Sequence, residues 1–140
     1  MRWRQARVRS RNLGDVAADD LVRHIPPRAR VEADPTAGIT RERAIEVAGM
    51  WAGVARTPPG NTTAWHHHGD HETAIYIVSG RLRMESGPGG NDVIEGAPGD
   101  FLHVPPGAIH RESNPSDGES AIVVVRAGSG PPTVNVDGPA

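Results

Sequence analysis

The chain changes texture at Ile39. Before it, charged residues, Pro26-Pro27 and Asp34-Pro35 break any regular pattern, and only residues 15–23 suggest one short helix. After it, short apolar runs alternate with turn signals. Residues 45–47 and 50–55 predict strands, the second closed by Pro58-Pro59-Gly60. The run 74–78 is rich in β-branched side chains and predicts a strand buried on both faces. Ser79-Gly80 then predicts a hairpin turn. The alternation Arg81-Leu82-Arg83-Met84-Glu85 predicts a strand with one wet and one dry face. Residues 93–94, 101–104 and 121–126 predict further strands, punctuated by Ala97-Pro98-Gly99-Asp100, Pro105-Pro106-Gly107 and Asn114-Pro115. Turns recurring about every eight to twelve residues, with no heptad and no internal repeat, predict an all-β sandwich or barrel.

This pattern divides the chain into an N-terminal arm over 1–38, partly ordered and able to add an edge strand, a barrel over 39–128 and a loosely held tail over 129–140. At 140 residues there is room for one domain. Trp51, Trp65 and Phe101 are expected to wall the barrel, and Tyr76 to pack in its core. Gly and Pro together fill 30 of the 140 positions, which suits many short elements and tight turns.

Charge changes the picture little. The formal net charge of −2 points to neither nucleic acid nor membrane, although residues 1–30 carry +5 and the remainder −7. The basic arm of Arg2, Arg4, Arg7, Arg9 and Arg11 is read as a solvated tail or strand edge. Cysteine is absent, which removes disulfides, thiolate metal sites and a cysteine nucleophile together. No apolar stretch reaches the roughly 20 residues of a membrane span, and no apolar segment follows the N-terminal charges, so a cytoplasmic protein is expected. Exposed sheet edges, and an arm that could add a strand to a neighbour, make a homodimer the expected assembly.

Candidate chemistry concentrates in histidine. Four of the seven histidines lie between positions 66 and 71. On a strand, His66 and His68 project from one face and His67 from the other, so the first two can reach one ion. His110 opens another strand three residues after Gly107. Imidazoles suit iron, manganese, zinc, nickel and copper to differing degrees, so a divalent transition metal is the implied cofactor. Other motifs are missing: His71-Glu72 is not followed by a helical second histidine, and there is no nucleophile elbow or phosphate loop.

Two longer patterns carry a resemblance. Gly99, Pro105, Gly107, His110 and Asn114 match G-x5-P-x-G-x2-H-x3-N without a gap. Gly60, His66, His68 and Gly80 fit G-x5-H-x-H-x3,4-E-x6-G. Over these residues the chain resembles the cupin superfamily, which implies a double-stranded β-helix, a jelly-roll barrel with one metal near its mouth. The glutamate of the second pattern is where the chain departs. Glu72 keeps the spacing from His68 but stands one residue too far from Gly80, while Thr73 satisfies both counts and is a poor ligand. A one-residue bulge after Glu72 would turn its carboxylate inward. Without one, the ion has three imidazoles and no fourth protein ligand, or His71 supplies a fourth nitrogen. Glu72 is the preferred reading, giving the ligand set His66, His68, Glu72 and His110.

Such a site leaves coordination positions open to a small organic substrate. The resemblance implies a metal-dependent oxidoreductase of dioxygenase type, the ion itself being the catalyst. A non-redox isomerase, lyase or cyclase is the alternative, and a module that binds a metabolite or sugar is a third, since one fold carries many chemistries. His103 is a candidate to orient a ligand or a half-exposed strand residue. Asp70 belongs to a turn. Arg81, Arg83 and Arg111 are either surface residues or contacts for an anionic substrate.

Overall fold

A computed structural model describes residues 20–139. The basic arm and most of the helix expected over 15–23 lie outside them. Among the described residues the chain forms eleven strands: β1 (Val31–Glu32), β2 (Thr40–Val47), β3 (Met50–Thr57), β4 (His66–His67), β5 (Glu72–Ser79), β6 (Leu82–Ser86), β7 (Asp92–Gly96), β8 (Phe101–Val104), β9 (His110–Ser113), β10 (Ser120–Ala127) and β11 (Val134–Asn135). They build two antiparallel sheets, one ordered β1-β2-β3-β10-β5-β8 and the other β11-β4-β9-β6-β7. Beyond β4 the chain passes repeatedly from one sheet to the other, which is the winding of a double-stranded β-helix.

That winding changes the meaning of one turn. Ser79-Gly80 joins β5 in the six-stranded sheet to β6 in the five-stranded sheet, so it is a corner and not a hairpin. Gly80 has φ 73°, and a Cβ there would stand 2.7 Å from Ser120 Cα, so the corner needs a residue without a side chain.

The strand at 74–78 is not buried on both faces. Thr73, Ile75 and Ile77 point inward, while Tyr76 and Val78 stand 38% and 51% exposed. Tyr76 lies opposite Phe101 on β8, with ring centroids 5.0 Å apart on the outer face. Phe101 is 72% exposed and walls nothing, because the short edge strand β8 presents it to solvent. The apolar run therefore reflects an outer apolar patch added to a strictly alternating strand.

The inward faces form a core of Trp51, Ile75, Ile77, Leu82, Ile122 and Val124 with their neighbours. Cross-strand rows organise it: Ala55, Ile122 and Ile77 lie side by side across β3, β10 and β5, and Gly53, Val124 and Ile75 form the next row. The segments flanking the barrel are tied into it. β1 pairs with β2, and β11 pairs with β4 in the tail. No helix among the described residues is long and apolar enough to cross a membrane.

The alternation on β5 makes a sharp expectation. Ile77→Ala, at a fully buried position, lowers unfolding free energy by about 2–5 kcal/mol, whereas Val78→Ala on the outer face costs no more than about 1 kcal/mol. Urea titrations of both variants check this, and equal losses would contradict the assigned faces.

Candidate metal centre

The register of β4 against β9 sets His66 directly opposite His110. His68 follows two residues on with the same inward parity, and His67 turns outward, where its Nδ1 accepts a hydrogen bond from the Gly69 amide at 2.9 Å. His66, His68 and His110 are 0%, 2% and 1% exposed. Their ring centroids stand 4.4 Å (66–110), 5.0 Å (68–110) and 5.3 Å (66–68) apart.

The protons of these rings are fixed by what surrounds them. His66 Nδ1 lies 2.9 Å from the Ala64 carbonyl, His68 Nδ1 3.0 Å from that of Pro132, and His110 Nδ1 2.8 Å from that of Ala108. A carbonyl oxygen only accepts, so each Nδ1 carries the ring hydrogen and each Nε2 is left with a lone pair. His66 and His68 stay neutral as well. Burial pushes both pKa values down, that of His68 to about 2 with help from the nearby Arg126 cation, while Glu112 only partly opposes the shift of His66.

The carboxylate beside them is Glu112, not Glu72. Glu112 follows His110 by two residues on β9, so the pleat places both side chains on the inner face. Its Oε1 lies 3.5 Å from His66 Nε2 and 3.4 Å from His110 Nε2. Burial works to raise the Glu112 pKa, while the attraction of the Arg41 and Arg126 cations favours its ionised form. Ligand atoms of His66, His68, His110 and Glu112 all lie within 4.8 Å of one another. That is close to the ~4.2 Å separating two ligands on opposite sides of an ion with bonds of roughly 2.1 Å.

The other candidates fall elsewhere. Glu72 opens β5 on its outer face, 57% exposed, and pairs with His103, itself 65% exposed. The bulge that would have turned it inward is at the other end of the strand: β5 and β10 pair without interruption from Glu72 to Ile77, and the shift falls between Ala121 and Ile122, opposite Val78. Thr73, which satisfies both counts, takes the inward position instead. His71 is buried, but its Nδ1 binds the His68 carbonyl at 2.9 Å and it stands outside the group. Thr73 is buried with its hydroxyl unpartnered. Asn114 serves the fold, donating from Nδ2 to the carbonyls of Thr57 and Gly118 at 2.9 and 2.8 Å. Arg81, Arg83 and Arg111 make outer ion pairs with Glu85 and Glu95, and Arg111 also lies over Trp65.

Three charged residues escape the histidine pattern. Besides Glu112, Arg41 and Arg126 are 3% and 0% exposed. Arg41 donates from Nη1 to the Asp34 carbonyl and to Thr36 Oγ1, both at 2.7 Å, and its Nη2 reaches His66 Nε2 at 3.1 Å. The signal for Glu112 was available: His110-x-Glu112 has the same spacing as His66-x-His68. Arg126 likewise shares the inward parity of Ile122 and Val124 in an otherwise apolar strand.

The residues fit a cation. Three lone pairs and an ionised carboxylate converge, Arg41 meets one of them, and His110 Nε2 and Glu112 Oε2 remain buried without any partner. Buried acceptors left unpaired cost about 1–3 kcal/mol each, and a divalent ion is the group that satisfies several at once.

Neutral burial of His68 also fixes how stability depends on pH in the ion-free protein. Its folded pKa of about 2 lies below the ordinary 6.5. Between these values the unfolded chain binds a proton that the folded chain refuses, so stability falls as pH falls below 6.5. His68 alone accounts for about 2 kcal/mol lost by pH 5, and His66 acts in the same direction. Denaturant titrations at pH 7.5 and 5 measure the difference, and a flat profile would contradict the buried neutral rings.

Comparison with known proteins follows from this geometry. No curated relative matches the sequence. The fold is similar to that of a Klebsiella pneumoniae protein described as having a double-stranded β-helix domain, at 21% identity and TM-score 0.64 over 76% of this chain and 91% of that one. It is similar to the polyketide cyclase RemF from Streptomyces resistomycificus, at 19% identity and TM-score 0.67 over 83% and 86% of the two chains. An oxalate oxidase shares 21% identity and TM-score 0.60 over 71% of this chain and 55% of its own. At these identities the likeness is one of fold. The profile of the Cupin domain matches residues 53–126, more than half the length, and the chain belongs to the cupin family.

Proposed function

We propose that this protein is a metal-dependent enzyme of dioxygenase type acting on a small organic molecule, with His66, His68, His110 and Glu112 holding the ion. The observation that carries this reading is the set of three imidazoles whose protons are pinned outward on backbone carbonyls, leaving three lone pairs and one carboxylate facing one another. When bound, iron, manganese, nickel or copper would supply redox and Lewis-acid chemistry, and zinc Lewis acidity alone.

The chain's own residues supply the surroundings. With its three Nδ1 hydrogens engaged, the imidazole set offers no acidic proton at the centre. His110 Nε2 and Glu112 Oε2 are acceptors there without a partner. Near-complete burial of all four side chains excludes bulk water and strengthens every charge interaction inside. A non-redox isomerisation, elimination or cyclisation at the same site is the second reading, favoured by the likeness to a polyketide cyclase across most of this chain.

Two experiments separate these readings. Protein purified without oxygen would be analysed for metal by mass spectrometry, then assayed for oxygen uptake against diketones, catechols and thiols. Uptake lost in His110→Ala supports the dioxygenase type, turnover without oxygen supports the second reading, and saturable binding with no turnover makes the protein a binding module.

The ligand set has its own check. His110→Ala and Glu112→Gln are expected to weaken metal binding by more than about 10-fold, since even groups outside the coordination sphere are worth about 10–100-fold. Glu72→Gln should leave affinity within about 2-fold, because an exposed carboxylate away from the centre contributes little. Competition titration against a chelator reads all three, and a large loss in Glu72→Gln alone would overturn the assignment.

A further inference from the structure

Opposite the donor set, on the inner face of the six-stranded sheet, lies a row of hydrogen-bond donors with nothing to donate to. Trp51, Arg126 and Thr73 are side by side in register across β3, β10 and β5. Each is at most 2% exposed. Trp51 Nε1, Thr73 Oγ1 and all three guanidinium nitrogens of Arg126 are buried without a hydrogen-bond partner. Asp34 makes an ion pair with Arg126 at 3.9 Å (Oδ2 to Nη1), beyond hydrogen-bond reach, and that Oδ2 is itself buried without a hydrogen-bond partner.

The arrangement of this row is built. Gly53 leaves room for the Trp51 indole, since a Cβ there would lie 2.8 Å from Trp51 Cη2. The Arg126 guanidinium stacks on that indole with Cζ 4.3 Å from the ring centroid. Stacking holds the face of the guanidinium and leaves its edge, where the N–H groups are, unengaged. A buried guanidinium whose nitrogens all lack hydrogen-bond partners is costly, and its pKa is pushed down to about 10 by burial and by Arg41. A loaded metal centre sharpens the imbalance. A divalent ion with Arg41 and Arg126 then outweighs the carboxylates of Glu112 and Asp34 by two charges, so this end of the barrel favours an anion.

We propose that Arg126, oriented by Trp51 and joined by Thr73, binds the carboxylate group of a small organic acid that is the substrate of this site. This deepens the metal-dependent reading and rests on it for the chemistry, but the recognition of the anion belongs to Arg126. The planar fork of a guanidinium matches a carboxylate with two parallel hydrogen bonds. Indole N–H and threonine hydroxyl add donors on either side, and the near-complete burial of the row favours a small anion over a bulky one.

The test uses the full chain, ion-free and cobalt-loaded, with glycolate as probe and glycolamide as its neutral counterpart. Cobalt binding is followed by its visible absorption and glycolate binding by calorimetry. The expected result is saturable glycolate binding, none for glycolamide, and a loss of at least about 10-fold in glycolate affinity in Arg126→Met. Cobalt should still bind Arg126→Met, with its affinity held or raised, because a cation near His68 is removed. Should Arg126→Met fail to fold, Thr73→Val, which keeps shape and removes one donor, should still weaken glycolate several-fold. Glycolate binding that is absent, unchanged in the variants, matched by glycolamide or weaker than that of inorganic phosphate overturns the proposal. Failure of cobalt to bind would sink the metal reading alone, because glycolate binding to ion-free protein that disappears in Arg126→Met still identifies the anion site.

Discussion

The structure depends on where three ring hydrogens are held. Each imidazole gives its Nδ1 hydrogen to a backbone carbonyl. For His66 and His110 the acceptor is the carbonyl two residues earlier, at the entry to β4 and β9. For His68 it is Pro132, brought in from the tail because β11 pairs with β4. Loosening any of these anchors would let a ring turn and carry its lone pair away from the centre. The short strands β4 and β11, each only two residues long, therefore matter more to the chemistry than their length suggests.

That centre exists because the barrel interior is divided. Along β10 the inward residues run Ile122, Val124, Arg126, and along β5 they run Ile77, Ile75, Thr73. Two rows are apolar and the third is polar. The apolar rows join Leu82 and Met84 from the other sheet in a dry core that carries the stability. The polar row, Arg41, Glu112 and the histidines then occupy the opposite end at a cost the core offsets. Asp34, at φ 53°, shows the same tension: a non-glycine residue in the left-handed region, giving its carbonyl to Arg41 with its carboxylate near Arg126.

Much of this was legible before any coordinates. Turn chemistry and strand alternation imply a closed β-fold, and two spaced patterns place His66, His68 and His110 together. What was not legible had particular causes. The run 74–78 is apolar on both sides because Tyr76, Val78 and Phe101 form an outer patch, and periodicity cannot separate a covered face from an exposed apolar one. The corner at Gly80 has the composition of a hairpin turn, since both need a glycine at positive φ, and only pairing partners tell them apart. Glu72 satisfied a residue count, but a count does not say where a bulge falls, and this one falls at Val78.

The position of the carboxylate has a consequence beyond the identity of one residue. With Glu112 in place of Glu72, all four donors come from β4, β9 and the residue just past β4, that is, from the five-stranded sheet and its margin. A ligand at position 72 would have reached across from the six-stranded sheet and tied the two together through the ion. Instead the inner face of that sheet keeps the donor atoms of Trp51, Arg126 and Thr73 without hydrogen-bond partners. One sheet presents acceptors for a cation and the other presents donors for an anion. A substrate lying between them would be drawn by both, and the pleat of two strands is enough to establish that division.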